Sequence, residues 1–416
     1  MATRPPPAVA RLAAYLVASW GVLIALAASA HASLGVAAAV AAVYTTAPLV
    51  AFLARRGAWR RYPTAAFRLF VVRPALYAQL LLPIVATVGL VGLLVGAPFG
   101  HALTAGRWAA ASALVVGSLI LLVGWIGSRR LVVREVEARV PGLPAAFDGL
   151  RVVQLSDLHV GPQTSRHFLA RAARAAAALR PDLVVLTGDL VDDRAEDVAG
   201  FAEWVGELQN AATPALGTVL IPGNHDVYAG WPAVAQGLRR LTTAHVLVND
   251  VHVIRRGGAS LALLGTGDPA AGGAGAHAAR RVIVDAPGAG ESAAVDLGRA
   301  FARVPAGVPV VAFAHNPALW PALADRGAAL TLSGHTHWGQ FALPRRGWSL
   351  ASPFLEHAMG GYQRGDALLY VHPGTGFWGV PFRIGAYPEV AAVTLRAAPA
   401  AGLAVGEARP AARRAA

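Results

Sequence analysis

The chain contains no cysteine and no lysine, and only two methionines among its 416 residues. Without cysteine, disulfides and thiolate metal sites are excluded, and the redox compartment is left open. Without lysine, all 36 basic side chains are arginine, set against 23 acidic ones for a net charge of +13. A surplus of that size raises the question of nucleic-acid binding. The arginines are dispersed, however, and their densest group (Arg55, Arg56, Arg60, Arg61, Arg68 and Arg73) lies between two apolar stretches. No specific nucleic-acid binding is expected.

Charge is missing altogether from four stretches of the N-terminal third: Leu12–Ala30, Leu34–Ala54, Leu76–Phe99 and Ala109–Gly127. Each is about 20 residues, or ~30 Å as a helix, the thickness of a hydrocarbon core. Hydrophobic residues make up 55% of the chain and the mean hydropathy is +0.49, high for a wholly soluble protein. The pattern predicts an N-terminal multi-pass α-helical membrane region over residues 1–130, with four spans. Arg4 and Arg11 precede the first span, and Arg129, Arg130 and Arg134 follow the fourth. The remaining links hold only His31, or His101 with Arg107. Positive-inside counting then places both termini and the C-terminal half in the cytoplasm, at the cell (inner) membrane. The first stretch also has the form of a signal peptide, with A-S-A-H-A near its end; removing it leaves the orientation unchanged. Transporters and pumps carry ionisable groups inside their spans. Their absence here favours an anchor, or a scaffold that admits a lipid substrate.

From Leu131 the composition changes. Leu131–Val140 alternates as a strand does, and 141–149 is turn-rich. Apolar strands (Arg151–Leu155, Asp182–Leu186, Thr218–Ile221) then alternate with helical stretches near Ser165–Leu179 and Glu196–Asn210. This predicts a stacked α/β domain over 131–398, followed by a disordered basic tail at 399–416. Thr266–Ser292, rich in Gly, Ala and Pro, is expected to be a long surface loop.

Each strand runs directly into polar residues. V-V-Q-L-S leads to Asp157-Leu158-His159, and L-V-V-L-T to Gly188-Asp189. V-L-I-P leads to Gly223-Asn224-His225-Asp226, V-V-A-F-A to His315, and A-L-T-L-S to Gly334-His335-Thr336-His337. Ligand sites of α/β sheets lie beyond the carboxyl ends of the strands, so five segments should converge on one crevice. Asp157, His159, Asp189, Asn224, His315, His335 and His337 form an all-nitrogen-and-oxygen donor set suited to Mn, Fe or Zn. Seven donors exceed one tetrahedral ion but suit two divalent ions sharing a carboxylate. Asp189, after a glycine, is the natural bridge. Two ions ~3.5–4 Å apart would activate water and neutralise a phosphoryl group during in-line displacement.

D-L-H, G-D-L-V-D, G-N-H-D, the lone His before N-P, and G-H-T-H-W-G-Q together resemble the calcineurin-like metallophosphoesterase superfamily. The last of these, with P-G-T-G-F-W-G-V-P-F-R, is similar to its membrane-associated bacterial phosphodiesterase branch. The resemblance covers Leu131–Arg396 and implies a β-sandwich flanked by helices, with a dinuclear site at the strand ends. It further implies that Asp157, His159, Asp189 and His337 hold one ion, and Asp189, Asn224, His315 and His335 the other. His225 would protonate the leaving oxygen. The implied activity is hydrolysis of a phosphodiester or pyrophosphate bond. Candidate substrates are lipid-linked compounds or soluble nucleotides; a membrane sensor or transporter with a degenerate hydrolase domain is the reading from another class. Asp226 is expected either to orient His225 or to cap the following helix, and Asp192 either to support the site or to lie in a solvated loop. Trp338, Phe377 and Trp378 either line an apolar entrance or pack. His372 is expected to be ordinary.

Overall fold

The structure is a computed structural model that describes residues 7–54, 68–161, 164–272 and 293–411. It divides into two compact units, Met1–Trp125 and Ile126–Ala416. That boundary falls five residues before the one expected at 130/131.

The first unit holds α1 (Pro7–Ala30), α2 (Ala32–Ala54), α3 (Arg73–Gly96), entered through a π-helical turn at Arg68–Val72, and α4 (Ala102–Gly127). Two stretches, Phe70–Phe99 and Ala102–Gly127, are long and apolar enough to cross a membrane. The apolar stretches described within α1 and α2, Ala14–Ala30 and Ala32–Ala47, are shorter. Leu26, Val85 and Ala110 form a small buried cluster, while Leu80, Val91, Leu94, Leu119 and Leu122 are exposed. Helices apolar on all sides and so little buried are unfavourable in water and natural in lipid. They support membrane association.

The second unit begins with β1 (Val132–Val140), β2 (Arg151–Leu155), α5 (Arg166–Ala178), β3 (Leu183–Thr187) and α6 (Val198–Ala212). Ser165 starts α5 by accepting the Phe168 amide hydrogen, one of the donors a helix N-terminus leaves unpaired. Next come β4 (Thr218–Ile221), α7 (Asn224–Leu241), β5 (His245–Val246), β6 (Asp250–Arg256), β7 (Ala259–Gly265) and α8 (Leu297–Phe301). The rest is β8 (Val310–Phe313), α9 (Trp320–Ala324), β9 (Ala328–Ser333), β10 (Ala342–Leu343) and β11 (Trp348–Ser349). The chain closes with β12 (Gly360–Arg364), β13 (Ala367–Val371), β14 (Glu389–Ala397), β15 (Gly402–Val405) and β16 (Arg409–Pro410).

One sheet runs β15-β1-β14-β2-β3-β4-β5, with β16 also on β1; the other runs β12-β13-β9-β8-β7-β6. Strands β2, β3 and β4 are parallel to one another, as are β7, β8 and β9. Side-chain alternation builds the layers. Val152, Val185 and Val219 meet Leu263, Val311 and Leu330 between the sheets. Val153, Leu186 and Leu220 point the other way, onto Phe201, Trp204 and Trp231 of α6 and α7. Beyond the second sheet, Leu264 and Ala312 pack on Leu297 of α8 and Leu323 of α9. The result is two face-to-face sheets with helices on both outer faces.

Two expectations change. The tail expected to be disordered from 399 instead pairs with β1, Val136 opposite Val405 and Val133 opposite Arg409. Those strands occupy the edge of β1 away from β14, which would otherwise present unpaired backbone groups. Residues 412–416 lie outside the described residues. Of the expected loop at 266–292, residues 273–292 also lie outside them, and 266–272 are ordered, with Thr266 and Asp268 buried.

Candidate metal centre

All five polar segments leave carboxyl ends of parallel strands: β2, β3 and β4 from one sheet, β8 and β9 from the other. Asp157, His159, Asp189, His335 and His337 all have left-handed backbone, with φ of 52°, 46°, 50°, 72° and 48°. Such conformations are uncommon outside glycine and cost ~1–3 kcal/mol each. Glycines make them fit. A Cβ on Gly334 would stand 2.0 Å from Ser156 Oγ, and one on Gly188 2.6 Å from the His315 ring.

The donor atoms of Asp157, His159, Asp189 and His337 all lie within 4.8 Å of one another, and all four residues are buried. His337 Nε2 is 3.3 Å from Asp157 Oδ1 and 3.1 Å from His159 Nε2. The other three donors form a chain: Asn224 Oδ1 is 3.2 Å from His315 Nε2 and 2.7 Å from His335 Nδ1. Asp189 stands between the groups. Its Oδ2 is 3.5 Å from His159 Nε2 and 3.3 Å from His315 Nε2, while Oδ1 accepts the His225 backbone N–H at 2.8 Å. Thus the seven residues named from the sequence converge.

Electrostatics describe a site under tension. Burial, helped by Asp189, raises the Asp157 carboxyl to about 6. Burial also works against charge on Asp189, but His315 and His225 outweigh it and hold that carboxyl well below its usual range. Burial presses His159 down to about 3. Its Nδ1 is buried without a hydrogen-bond partner among the described residues, and the nearest carboxylate oxygen, on Asp192, is 3.7 Å away. His159 and His337, both pressed toward the neutral form by burial, meet nitrogen to nitrogen beside the Asp157 and Asp189 carboxylates, an arrangement poorly satisfied by hydrogen bonds alone. The residues present fit divalent cations.

His225 lies beside this cluster, its ring edge-on to His159 at 4.6 Å between centroids. Its Nδ1 is 2.8 Å from the Asp192 carbonyl oxygen, which can only accept, so Nδ1 carries a proton and Nε2 is left for other work. Burial disfavours its charged form, but Asp189 and Asp192 outweigh that and raise its pKa. Asp192 therefore supports the site both through its backbone carbonyl and through its carboxylate, which lies 3.7 Å from His159 Nδ1 and 3.9 Å from His225 Nδ1.

Of its two expected roles Asp226 takes the capping one, acting from the first turn of the helix and not as the N-cap residue itself. G-N-H-D forms the first turn of α7, with Gly223 as the N-cap. The Asp226 carboxylate accepts from Gly223, Leu190 and Val191 N–H at 2.8–3.2 Å, tying the turn after β3 to the turn after β4. Burial first, and Asp189 second, raise it to about 7. Trp338 is buried, its Nε1 donating to the Val371 carbonyl, and lines no entrance. Trp378 is exposed. His372 is buried, with Nδ1 accepting from Gly374 N–H.

Arg383 received no role from the sequence. It is fully buried and donates to His337 Nδ1 at 2.8 Å, to the Pro373 and Ala386 carbonyls at 2.6 and 3.0 Å, and to the Gly376 carbonyl. Gly376 N–H in turn donates to the Asp157 carbonyl at 2.9 Å. Nearby in sequence, Glu389 forms a buried ion pair with Arg134 at 2.7 Å and also accepts the Tyr370 hydroxyl. One signal was available: Arg383 is the only charged residue between Asp366 and Glu389.

Two sheets whose strand ends gather carboxylates, imidazoles and one amide define a metal-site hydrolase domain of the phosphoesterase kind. Residues 150–339 match the calcineurin-like phosphoesterase family, and the chain carries a calcineurin-like metallophosphoesterase domain. It is 32% identical over 297 residues to a "Transmembrane protein with metallophosphoesterase domain" of Danio rerio, covering 69% of this chain and 62% of that protein. The Bos taurus protein of the same name is 31% identical, covering 70% and 63%. The chain thus spans less than two thirds of the length of either. It is 26% identical over 280 residues to "UDP-2,3-diacylglucosamine pyrophosphatase LpxG" of Chlamydia muridarum, covering 59% of this chain and 83% of that protein.

Proposed function

We propose that this protein is a membrane-anchored phosphoesterase that uses two divalent ions to hydrolyse a phosphodiester or pyrophosphate bond of a lipid-linked substrate. The observation that carries the reading is Asp189 Oδ2, placed 3.5 Å from His159 and 3.3 Å from His315, one histidine from each donor group. Asp157, His159, Asp189 and His337 would hold one ion, and Asp189, Asn224, His315 and His335 the other. Bound there, two ions supply Lewis-acid stabilisation of the phosphoryl oxygens and a water activated for attack.

The chain's own residues do the rest. Asp189 takes the His225 backbone N–H and fixes the first turn of α7. The Asp192 carbonyl holds the His225 proton at Nδ1, so a second proton on Nε2 is available to the departing oxygen. Asp226 keeps the two turns in register.

Four spans and a cytoplasmic catalytic domain belong to the same proposal, supported by the two apolar helices and the arginine distribution. Lipid linkage is supported by the anchor and by the diacylglucosamine nucleotide in the name of the Chlamydia relative. The test is turnover of the purified full chain, supplied with Mn, Fe or Zn, on lipid-linked pyrophosphates, soluble nucleotide diesters and monoesters. Activity confined to monoesters, or undiminished by a chelator, refutes it. A reporter fused after Ala416 that is active only outside the cytoplasm overturns the orientation.

A further inference from the structure

Exposed large apolar side chains are few in the second unit, and most gather in one place. Leu343, Trp348, Leu350, Phe354, Leu355 and Trp378 are all exposed, Phe354 at 81% and Trp378 at 57%. They form one surface. Leu350 N–H donates to the Phe341 carbonyl at 2.8 Å, and Phe354 and Leu355 N–H both donate to Ala351 at 3.0 Å. The Gln340 amide exchanges two 3.1 Å hydrogen bonds with the Trp378 backbone. At the tip of the β10–β11 hairpin, Arg345 and Arg346 are exposed; the only acidic residue in 341–357 is Glu356.

The chain enters the second unit at Ile126 and Gly127, the last two residues of α4. Ala342 N–H donates to the Ile384 carbonyl at 2.8 Å, and a Cβ on Gly127 would stand 1.9 Å from the Arg383 carbonyl oxygen. Arg130 lies 4.7 Å over the Tyr387 ring. Within the second unit, therefore, a single stretch of chain, 383–387, lies between the apolar surface and the residues through which the chain arrives from α4. Aromatic and aliphatic groups flanked by arginines suit a lipid headgroup boundary, and the tether makes even weak docking effective.

We propose that the 343–355 surface with Trp378 docks on the anionic lipid surface of the bilayer that α4 enters. Because Gln340 and Trp378 lie close in sequence to His337 and Gly376, docking turns the mouth of the metal centre toward headgroups. The proposal rests on reading α3 and α4 as membrane spans, and not on the hydrolytic chemistry.

The lack of cysteine provides the test. Phe354→Cys and, on the exposed face of α6, Glu207→Cys are made in the full chain, labelled with a nitroxide and placed in bilayer nanodiscs with or without phosphatidylglycerol. Co-flotation with liposomes separately establishes anchoring. In anionic discs the label at 354 should favour contact with oxygen over a polar nickel chelate, and the label at 207 the reverse. Arg345→Gln with Arg346→Gln should weaken docking roughly 30-fold. A label at 354 as open to nickel as the one at 207, in a chain that floats, overturns docking while leaving the anchor intact; failure to float overturns both. Protection at 354 that persists without lipid and grows with protein concentration assigns the surface to a second copy instead.

Discussion

Arg383→Lys keeps a positive charge in the core but not the two-nitrogen fork that reaches His337, Pro373, Gly376 and Ala386. Arginine can only donate, so Nδ1 of His337 must accept. The neutral ring then carries its proton on Nε2, the atom 3.3 Å from Asp157 and 3.1 Å from His159. A cation binding at that nitrogen must expel the proton. The guanidinium on the far side of the ring offsets the negative charge that results. Burial pulls Arg383 down to about 10, with Asp157 and Glu389 opposing, so it stays charged at neutral pH. Loss of such an outer contact lowers metal affinity ~10–100-fold, or ~1.4–2.7 kcal/mol. A single ammonium cannot serve all four acceptors, and each one left buried and unpaired costs ~1–3 kcal/mol of stability. The two effects separate in measurement. Calorimetric titration of the metal-free full chain with Mn reads affinity, and thermal melting without metal reads stability. We expect a folded, less stable variant whose turnover recovers when Mn is raised about 10–100-fold. Wild-type Mn affinity in a folded Arg383→Lys chain would refute the reasoning.

Asp189→Asn should abolish turnover and loading of both ions together, because its Oδ2 faces both donor groups; two tightly bound metals with near-normal activity rule out the bridge. His225→Ala should keep its metal content while turnover falls ~10²–10⁴-fold on an alkyl phosphodiester and less on a nitrophenyl one, whose leaving group needs little protonation. Equal losses would assign His225 to positioning the phosphate, and lost metal would make it a ligand. Glu389→Ala strands the buried Arg134 charge and should lower stability by ~3–5 kcal/mol, read by denaturant titration; a change below ~1 kcal/mol contradicts the ion pair's importance.

The convergence of the seven donors was legible because strands and motifs coincide. Each apolar run ends where its polar residues begin, and parallel strands carry those ends to one edge. What sequence could not supply was partnership across distance. Local alternation says that Val152 and Val311 lie in strands, but not that they face one another from different sheets. Arg383 meets His337 across 46 residues, and only the fold makes that contact. G-N-H-D reads as a turn because Gly and Asn favour turns, yet Asp226 can satisfy the Gly223 amide only if the next residues are helical. The strands at 402–405 and 409–410 were missed because their register comes from β1, whose free edge selects them.

The left-handed residues explain why the donors need so much support. Five of them at ~1–3 kcal/mol each amount to ~5–15 kcal/mol of local strain, comparable to the net stability of a whole domain. A left-handed residue at a strand end turns the chain sharply, and that turn takes His335 and His337 out of the strand path and toward the crevice. Carboxylates brace these turns: Asp157 accepts the N–H of left-handed His335 at 3.1 Å, and Asp189, itself left-handed, accepts that of His225 in the first turn of α7 at 2.8 Å. Asp226 does the same for the turn at Leu190 and Val191. Asp157 and Asp189 thus have two tasks, holding the backbone that presents the imidazoles and offering oxygen to a cation. Replacing either removes a donor and releases a braced turn together. Loss of metal after such a change therefore reports backbone as well as ligand, whereas the same loss in Arg383→Lys comes with both carboxylates and their hydrogen bonds to His335 and His225 in place.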